Sequence, residues 1–343
     1  MFLQNRLYGW TIAGMCCTVS LSAQADFYPF GNISADFVAA GGRTIWAVSK
    51  DTSAPSTDTF LYNPQSGLFE RRQPGVAIYP AKLLATGGGN IFEPDASWAF
   101  FPVEGMYQFD AGTQQWMKYP YLGADPRIQE VVVGVGYSDN CHPYEVWLEL
   151  TDFSNPPNKY LMRYDYCAGV FVVAPTSVDF NLSRVAVGGG EVWALGASNR
   201  VYRYDGVAEQ FNLMPGSLSQ VAVGVDGVWG INASGQAFEF NAITQSWDAI
   251  AAPALDAIWA GGDGVFARKC IPLVLEGATL SRAPAGALRP PLACQHYLLR
   301  YEPVTRKFVD ITTPYQIDSL SVGTGAGVLG ILPTLREVML WIE

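Results

Sequence analysis

The sequence predicts an all-β fold: one seven-bladed β-propeller of four-stranded antiparallel sheets, closed by an N-terminal strand that completes the last blade. Three observations predict it. An aromatic pair with constant spacing recurs along the chain, a glycine followed by an aromatic precedes each pair, and the final repeat runs out one strand short while the N-terminus carries a spare. A six-bladed ring, the alternative count, requires misreading one repeat.

The aromatic pairs are Tyr62 and Phe69, Phe109 and Trp116, Tyr164 and Phe171, Tyr204 and Phe211, Phe240 and Trp247, and Tyr301 and Phe308, each seven residues apart. Turn chemistry separates the partners, as in Asn63-Pro64, Asp110-Ala111-Gly112, Asp205-Gly206, Asn241-Ala242 and Glu302-Pro303. Two strands joined by a short polar turn fit this pattern, with the aromatics anchoring the hairpin. Before the pairs come Gly41 and Trp46, Gly188 and Trp193, Gly224 and Trp229, and Gly261 and Phe266, all five residues apart. Gly88 with Trp98 and Gly134 with Trp147 read as the same element with insertions. A glycine closing the innermost strand supplies positive φ and little bulk at a tight turn.

The full unit is four strands, a to d. In the clearest repeat, a is Val185-Ala186-Val187, b runs from Glu191 to Leu195, c from Arg200 to Tyr204, and d starts at Gln210. The shortest period, Trp193 to Trp229, is 36 residues, close to the minimum for four short strands and their turns. The last repeat offers Leu320 to Gly323 as a, Val328 to Leu332 as b and Glu337 to Ile342 as c. Its missing d is expected near Phe27 and Tyr28, which stand as far before Gly41 as other d strands stand before their next glycine.

Residues 1–25 read as a signal peptide: Arg6 precedes the apolar run Leu7 to Leu21, and Ala23-Gln24-Ala25 forms a small-x-small cleavage site. The expected mature chain, residues 26–343, is a single propeller domain. Without Arg6 it carries 20 basic against 31 acidic side chains, a net charge of −11. Such a surface repels phosphate backbones and anionic lipid, so nucleic acid and membrane insertion are not expected of the processed protein. Secretion is the expected location, periplasmic or cell-surface in a bacterial source. Four cysteines remain after processing, an even count that suits an oxidising compartment. Cys141 and Cys167 flank the b–c hairpin of the third blade, and Cys270 and Cys294 that of the sixth. Two local disulfides, Cys141–Cys167 and Cys270–Cys294, follow.

The best-preserved stretch, PGSLSQVAVGVDGVWGINASGQAFEF at 215–240, resembles the tectonin repeat. LSRVAVGGGEVWALGASNRVYRYD at 182–205 is similar to it, and LDAIWAGGDGVFARK at 255–269 is so in part. YEPVTRKF at 301–308 resembles the turn of Kelch repeats. The tectonin resemblance implies a lectin-like protein that recognises glycans, methylated sugars and bacterial lipopolysaccharide among them. The Kelch resemblance implies the same fold without choosing a function. An extracellular protein partner is the second expectation, and a secreted glycosidase or lyase the third.

Trp46, Trp98, Trp147, Trp193 and Trp229 recur at one structural position, which predicts wedges between sheets more than sugar platforms. Ligand contacts are instead expected in long b–c insertions of blades one, three and six, with Asp51, Asp152, Asn155, Asn158 and Arg282 as candidates. Asn32, Asn181 and Asn232 each begin an N-x-S sequon and are expected in d–a or b–c turns. Catalysis finds no support in motifs: only His142 and His296 exist, and there is no H-E-x-x-H, no G-x-S-x-G and no paired metal set. No metal, cofactor or catalytic residue is expected.

Overall fold

The computed structural model describes residues 26–49, 58–72, 81–87, 95–120, 122, 125, 127–134, 144–154, 157–174, 182–272, 294–311, 317, 319–323, 327–331 and 336–342. They form seven four-stranded antiparallel sheets, each ordered a-b-c-d. Blade 4 is the template, with strands Ser183–Gly188, Glu191–Leu195, Arg200–Asp205 and Gln210–Ser217. Blades are numbered along the chain from Phe37–Ala40, the a strand of blade 1. Among the described residues no helix is long and apolar enough to cross a membrane.

The seventh sheet is closed by the N-terminus. Its strands Ser319–Val322, Val328–Ile331 and Glu337–Ile342 are followed by Asp26–Ser34 on the outer edge. Phe27 stands opposite Trp341 and Tyr28 opposite Leu340 in antiparallel register, with an irregularity between Pro29 and Ser34. From that strand Phe30 reaches the aromatic pair of blade 1, with ring centroids 4.5 Å from Tyr62 and 5.9 Å from Phe69. The Ala40 amide donates to Ser321 Oγ at 2.8 Å, so the seam between blades 7 and 1 is bonded at its inner edge as well.

The core lies between the sheets. In blades 1 to 5 the strand-b tryptophan packs on the hairpin pair of the next blade: Trp46 on Phe109 at 4.8 Å, Trp98 on Tyr164 at 4.9 Å, Trp147 on Tyr204 at 5.0 Å, Trp193 on Phe240 at 4.7 Å and Trp229 on Tyr301 at 4.3 Å. All five tryptophans are buried between neighbouring sheets. Tilted and edge-on contacts of this kind add roughly 0.5–1.5 kcal/mol each beyond their area burial.

Two sequence expectations need correction. In blade 2 the glycine that ends strand a is Gly87, not Gly88, which lies outside the described residues. The reason for glycine also differs from a need for positive φ. Strand a lies innermost, and a Cβ on Gly188 would sit 2.5 Å from the Val223 carbonyl oxygen of the neighbouring blade; on Gly87 it would sit 2.7 Å from that of Val133. Close approach of backbones around the axis selects glycine here, and left-handed backbone appears one step later, at Gly189 and Gly190.

The Cys270–Cys294 disulfide is present, with Cα atoms 5.3 Å apart across the b–c hairpin of blade 6. Cys167 is also disulfide-bonded, and Cys141, its expected partner, lies outside the described residues.

Candidate functional site

The ring presents two faces, one built by a–b and c–d turns and the other by b–c and d–a loops. On the second face the sequence candidates are only partly described. Asp51, Asn155 and Arg282 lie outside the described residues, as does Asn181. Asp152 and Asn158 spend their polar groups on each other. The Asp152 carboxylate accepts from the Ser154 amide and hydroxyl and the Asn158 amide, and Asn158 Nδ2 donates to its other oxygen at 3.1 Å. These bonds, led by the Ser154 hydroxyl, hold the Asp152 carboxyl well below the usual carboxylate range. This is a loop-closing Asx motif. Asn232 does the same in the b–c turn of blade 5, accepting from Ser234 and Gln236. Asn32 lies within the N-terminal strand rather than a turn, and its Oδ1 accepts from the Phe69 amide at 2.8 Å.

The axis itself is narrow. Its inner end is an opening of about 60 Å³ lined by glycine, alanine and valine together with Thr86. No carboxylate is among the described residues that line it. His296 and the sulfurs of Cys270 and Cys294 lie within 4.8 Å of one another, but the sulfurs are bonded together and offer no thiolate to a metal.

Clefts of useful size open instead between blades on the a–b/c–d face, and one strand position decides their state. Side chains two apart on a strand share a face. The residue two before the strand-b tryptophan therefore stands beside its indole, and the strand-c residue opposite the tryptophan completes the row.

In blade 3 that row is Glu145, Trp147 and Arg163. Glu145 Oε2 accepts from Trp147 Nε1 and from Arg163 Nε, both at 2.8 Å, and Arg163 Nη2 pairs with Oε1. The guanidinium lies 5.1 Å from the centre of the Tyr204 ring in blade 4 and donates to its hydroxyl at 3.3 Å. Glu145 and Arg163 are wholly buried. Burial also pushes the Tyr204 hydroxyl up to about 12. This inter-blade space is filled by the protein's own ion pair.

Blade 4 repeats the device in looser form. Glu191 accepts from Trp193 Nε1 at 2.6 Å and pairs with Arg203 at 2.9 Å, but the Arg203 and Glu191 side chains stay 35% and 27% exposed. A groove of about 400 Å³ runs past them, between Asp205, Val207, Asn212 and Gln245 of blade 5.

Blade 5 breaks the pattern at both positions. Gly227 stands where Glu145 and Glu191 stood, and Glu239 faces Trp229 where arginine faced the other two. The resulting cleft holds about 630 Å³, with Trp229 and Tyr301 as its aromatic floor and Asp226, Glu239, Asp248, Arg300 and Arg306 around it. Arg306 of blade 6 donates to Glu239 at 2.7 Å and lies 3.9 Å from Asp248, while Asn241 donates to Asp248 at 3.1 Å. Trp229 is 2% exposed, and its Nε1 has no acceptor within hydrogen-bonding distance among the described residues. A third cleft of about 350 Å³ lies against blade 2, between Asp95, Gln108, Met117 and Tyr144.

The sequence reading singles out none of these cleft residues as a ligand contact. The signal was present as Glu-Val-Trp in blades 3 and 4 against Gly-Val-Trp in blade 5.

Comparison with known proteins fits the geometry. The tectonin domain family matches residues 181–267, which span blade 4, blade 5 and the opening strands of blade 6. No curated protein matches the sequence. Among solved structures, YCF48 bound to D1 peptide superposes with a TM-score of 0.58 at 9% identity, over 93% of this chain and 97% of that one. Human WBSCR16 superposes with a TM-score of 0.54 at 11% identity, over 91% and 86% of the two chains. At such identities the likeness is one of fold alone. The chain is a tectonin-like seven-bladed β-propeller, and the residues that match the tectonin family contribute to two of its inter-blade clefts.

Proposed function

We propose that this protein is a secreted, non-enzymatic lectin that binds glycan on the a–b/c–d face, with the cleft between blades 5 and 6 as its principal site. The carrying observation is the composition of that cleft: an aromatic floor of Trp229 and Tyr301 under carboxylates and guanidinia. Sugars offer this cleft its complement, since their hydroxyls donate to its carboxylates and accept from its arginines. The leader-like first 25 residues and the disulfide-bonded cysteines support export. The face moves from the b–c side expected from loop lengths, because Asp152 and Asn158 are already committed to their own loop.

A glycan array followed by calorimetry on residues 26–343 tests the reading. Millimolar to micromolar binding of at least one sugar is the expected result, and no binding to any glycan, O-methylated ones included, rejects it.

A second reading, a protein-interaction propeller, rests on the exposed aliphatic tips of successive c–d turns: Val207, Ile243 and Val304 in blades 4, 5 and 6 are 81%, 94% and 97% exposed. YCF48, similar in fold, is itself described with a bound peptide. Retention of one protein partner from native extracellular material, unaffected by removal of its glycans, would favour this reading. A channel glycosidase would need two carboxylates roughly 5–9.5 Å apart, and the described residues around the axis supply none.

A further inference from the structure

The geometry points to the indole N–H of Trp229 as the group that selects the ligand, and to a neutral hydroxyl or ether oxygen as what it selects. This rests on the reading of the blade 5–6 cleft as the binding site.

In blades 3 and 4 the same N–H, on Trp147 and Trp193, donates to a carboxylate two residues earlier on its own strand. Those clefts carry their acceptor within the chain. In blade 5, Gly227 has no side chain, and the Trp229 N–H is left buried without an acceptor. A buried, unpaired donor is unfavourable, and an incoming oxygen recovers that loss on binding. The ligand therefore supplies the oxygen that Glu145 and Glu191 supply elsewhere.

A second carboxylate is the wrong donor of that oxygen. Asp226, Glu239 and Asp248 face the cleft against Arg300 and Arg306, which leaves it net acidic, and Arg306 is engaged by Glu239 and Asp248. An anionic group placed at the indole would be repelled by three acids, one of them opposite Trp229 in register. A neutral oxygen meets no such penalty, and neighbouring hydroxyls of the same ligand can donate to those acids. Among blades 3, 4 and 5 the site is single, because blades 3 and 4 occupy their own tryptophans; Trp98 of blade 2 is the other strand-b indole without an acceptor among the described residues, and its cleft lacks an arginine.

The test uses the full mature chain, ¹⁵N-labelled at tryptophan, titrated with methyl glycosides of neutral hexoses and, separately, with glucuronic acid. The Trp229 indole cross-peak, assigned by its loss in Trp229→Phe, is expected to shift with a neutral sugar while those of Trp147 and Trp193 stay in place. Affinity should fall about tenfold in Trp229→Phe, which removes the donor and keeps a ring in the wedge. Phe266 fills the equivalent place in blade 6, so phenylalanine suits the position. Sugar binding that leaves both the cross-peak and the Trp229→Phe affinity unchanged overturns this inference and leaves the lectin reading standing. Tighter binding of glucuronic acid than of any neutral hexose overturns it too. No binding of any sugar overturns both.

Discussion

At the scale of single residues, the contrast between Glu145–Arg163 and Glu191–Arg203 separates a structural ion pair from one at the edge of a site. Both pairs sit at the same repeat positions and cap the same indole. The first is sealed from water and the second is a third exposed. Removing one partner of the sealed pair leaves a buried charge with nothing to balance it. Arg163→Met is therefore expected to destabilise by about 3–5 kcal/mol. Arg203→Met, with water at hand to resolvate Glu191, should cost about 1 kcal/mol or less. Adding Glu145→Gln to Arg163→Met keeps an acceptor for Trp147 and removes the orphaned charge, so it should recover much of the loss. Urea denaturation of the three variants measures this. Equal losses in the Arg163 and Arg203 variants would mean that burial does not distinguish the pairs.

At the scale of strands, the b–c side of blade 3 holds two carboxylates in opposition. Glu130 on strand a, Ile128–Gly134, stands directly across from Glu149 on strand b, Glu145–Thr151. Lys159 donates to Glu149 at 2.7 Å, and the Arg184 amide donates to its other oxygen at 2.7 Å, so Glu149 has its partners. Glu130 does not share them: burial, and next the charge of Glu149, push its carboxyl up to about 7 against the nearby positive charges of Arg184 and Lys159. The folded state thus holds a proton that the unfolded chain releases from about 4.5 upward. Between those two values the folded state binds more protons, so stability is full at the acid end and falls as pH rises through 7. The expected drop is on the order of 2–3 kcal/mol from this group. Glu130→Gln should flatten that segment of the stability profile, read by denaturation at closely spaced pH values from 4.5 to 8; a wild-type profile rising steadily across the range would contradict the assignment. The strands themselves were legible in the sequence because alternation, turn residues and the seven-residue aromatic spacing are local. What was not legible is which polar residue meets which. Asp152 reads as a ligand contact until its loop is folded around it, and Gly227 acquires meaning only when Trp229 is seen without an acceptor. Gly88 reads as well as Gly87 in the sequence because adjacent glycines look alike until the neighbouring backbone is in place.

At the scale of the whole molecule, closure is the property on which the other features depend. Each strand-b aromatic stabilises a blade only through the pair on the next blade, so an open ring leaves two unsatisfied faces. Side-chain bonds stitch neighbours as well: the Asp95 carboxylate of blade 2 accepts from the amides of Gly42, Arg43 and Thr44 in the a–b turn of blade 1. Closure of the seventh sheet rests on the strand Asp26–Ser34, whose partner, Glu337–Ile342, would otherwise be an unpaired edge. Removing residues 26–34 is expected to take away the burial of Phe30 along with the strand pairing. Fully burying one such side chain is worth about 1.5–3 kcal/mol, and Phe30 is partly buried, so a loss on the order of 1–2 kcal/mol should follow. The bared edge is also a template for pairing between chains, which predicts concentration-dependent association. A synthetic peptide of residues 26–34 should bind the truncated protein and reverse both effects, since it restores the missing ladder without a covalent link. Thermal unfolding and size-exclusion chromatography, with and without peptide, read the outcome. A truncated protein that keeps the wild-type midpoint and elution volume would show that the ring is held by its inter-blade wedges alone, and that the N-terminal strand is an ornament on a ring already closed.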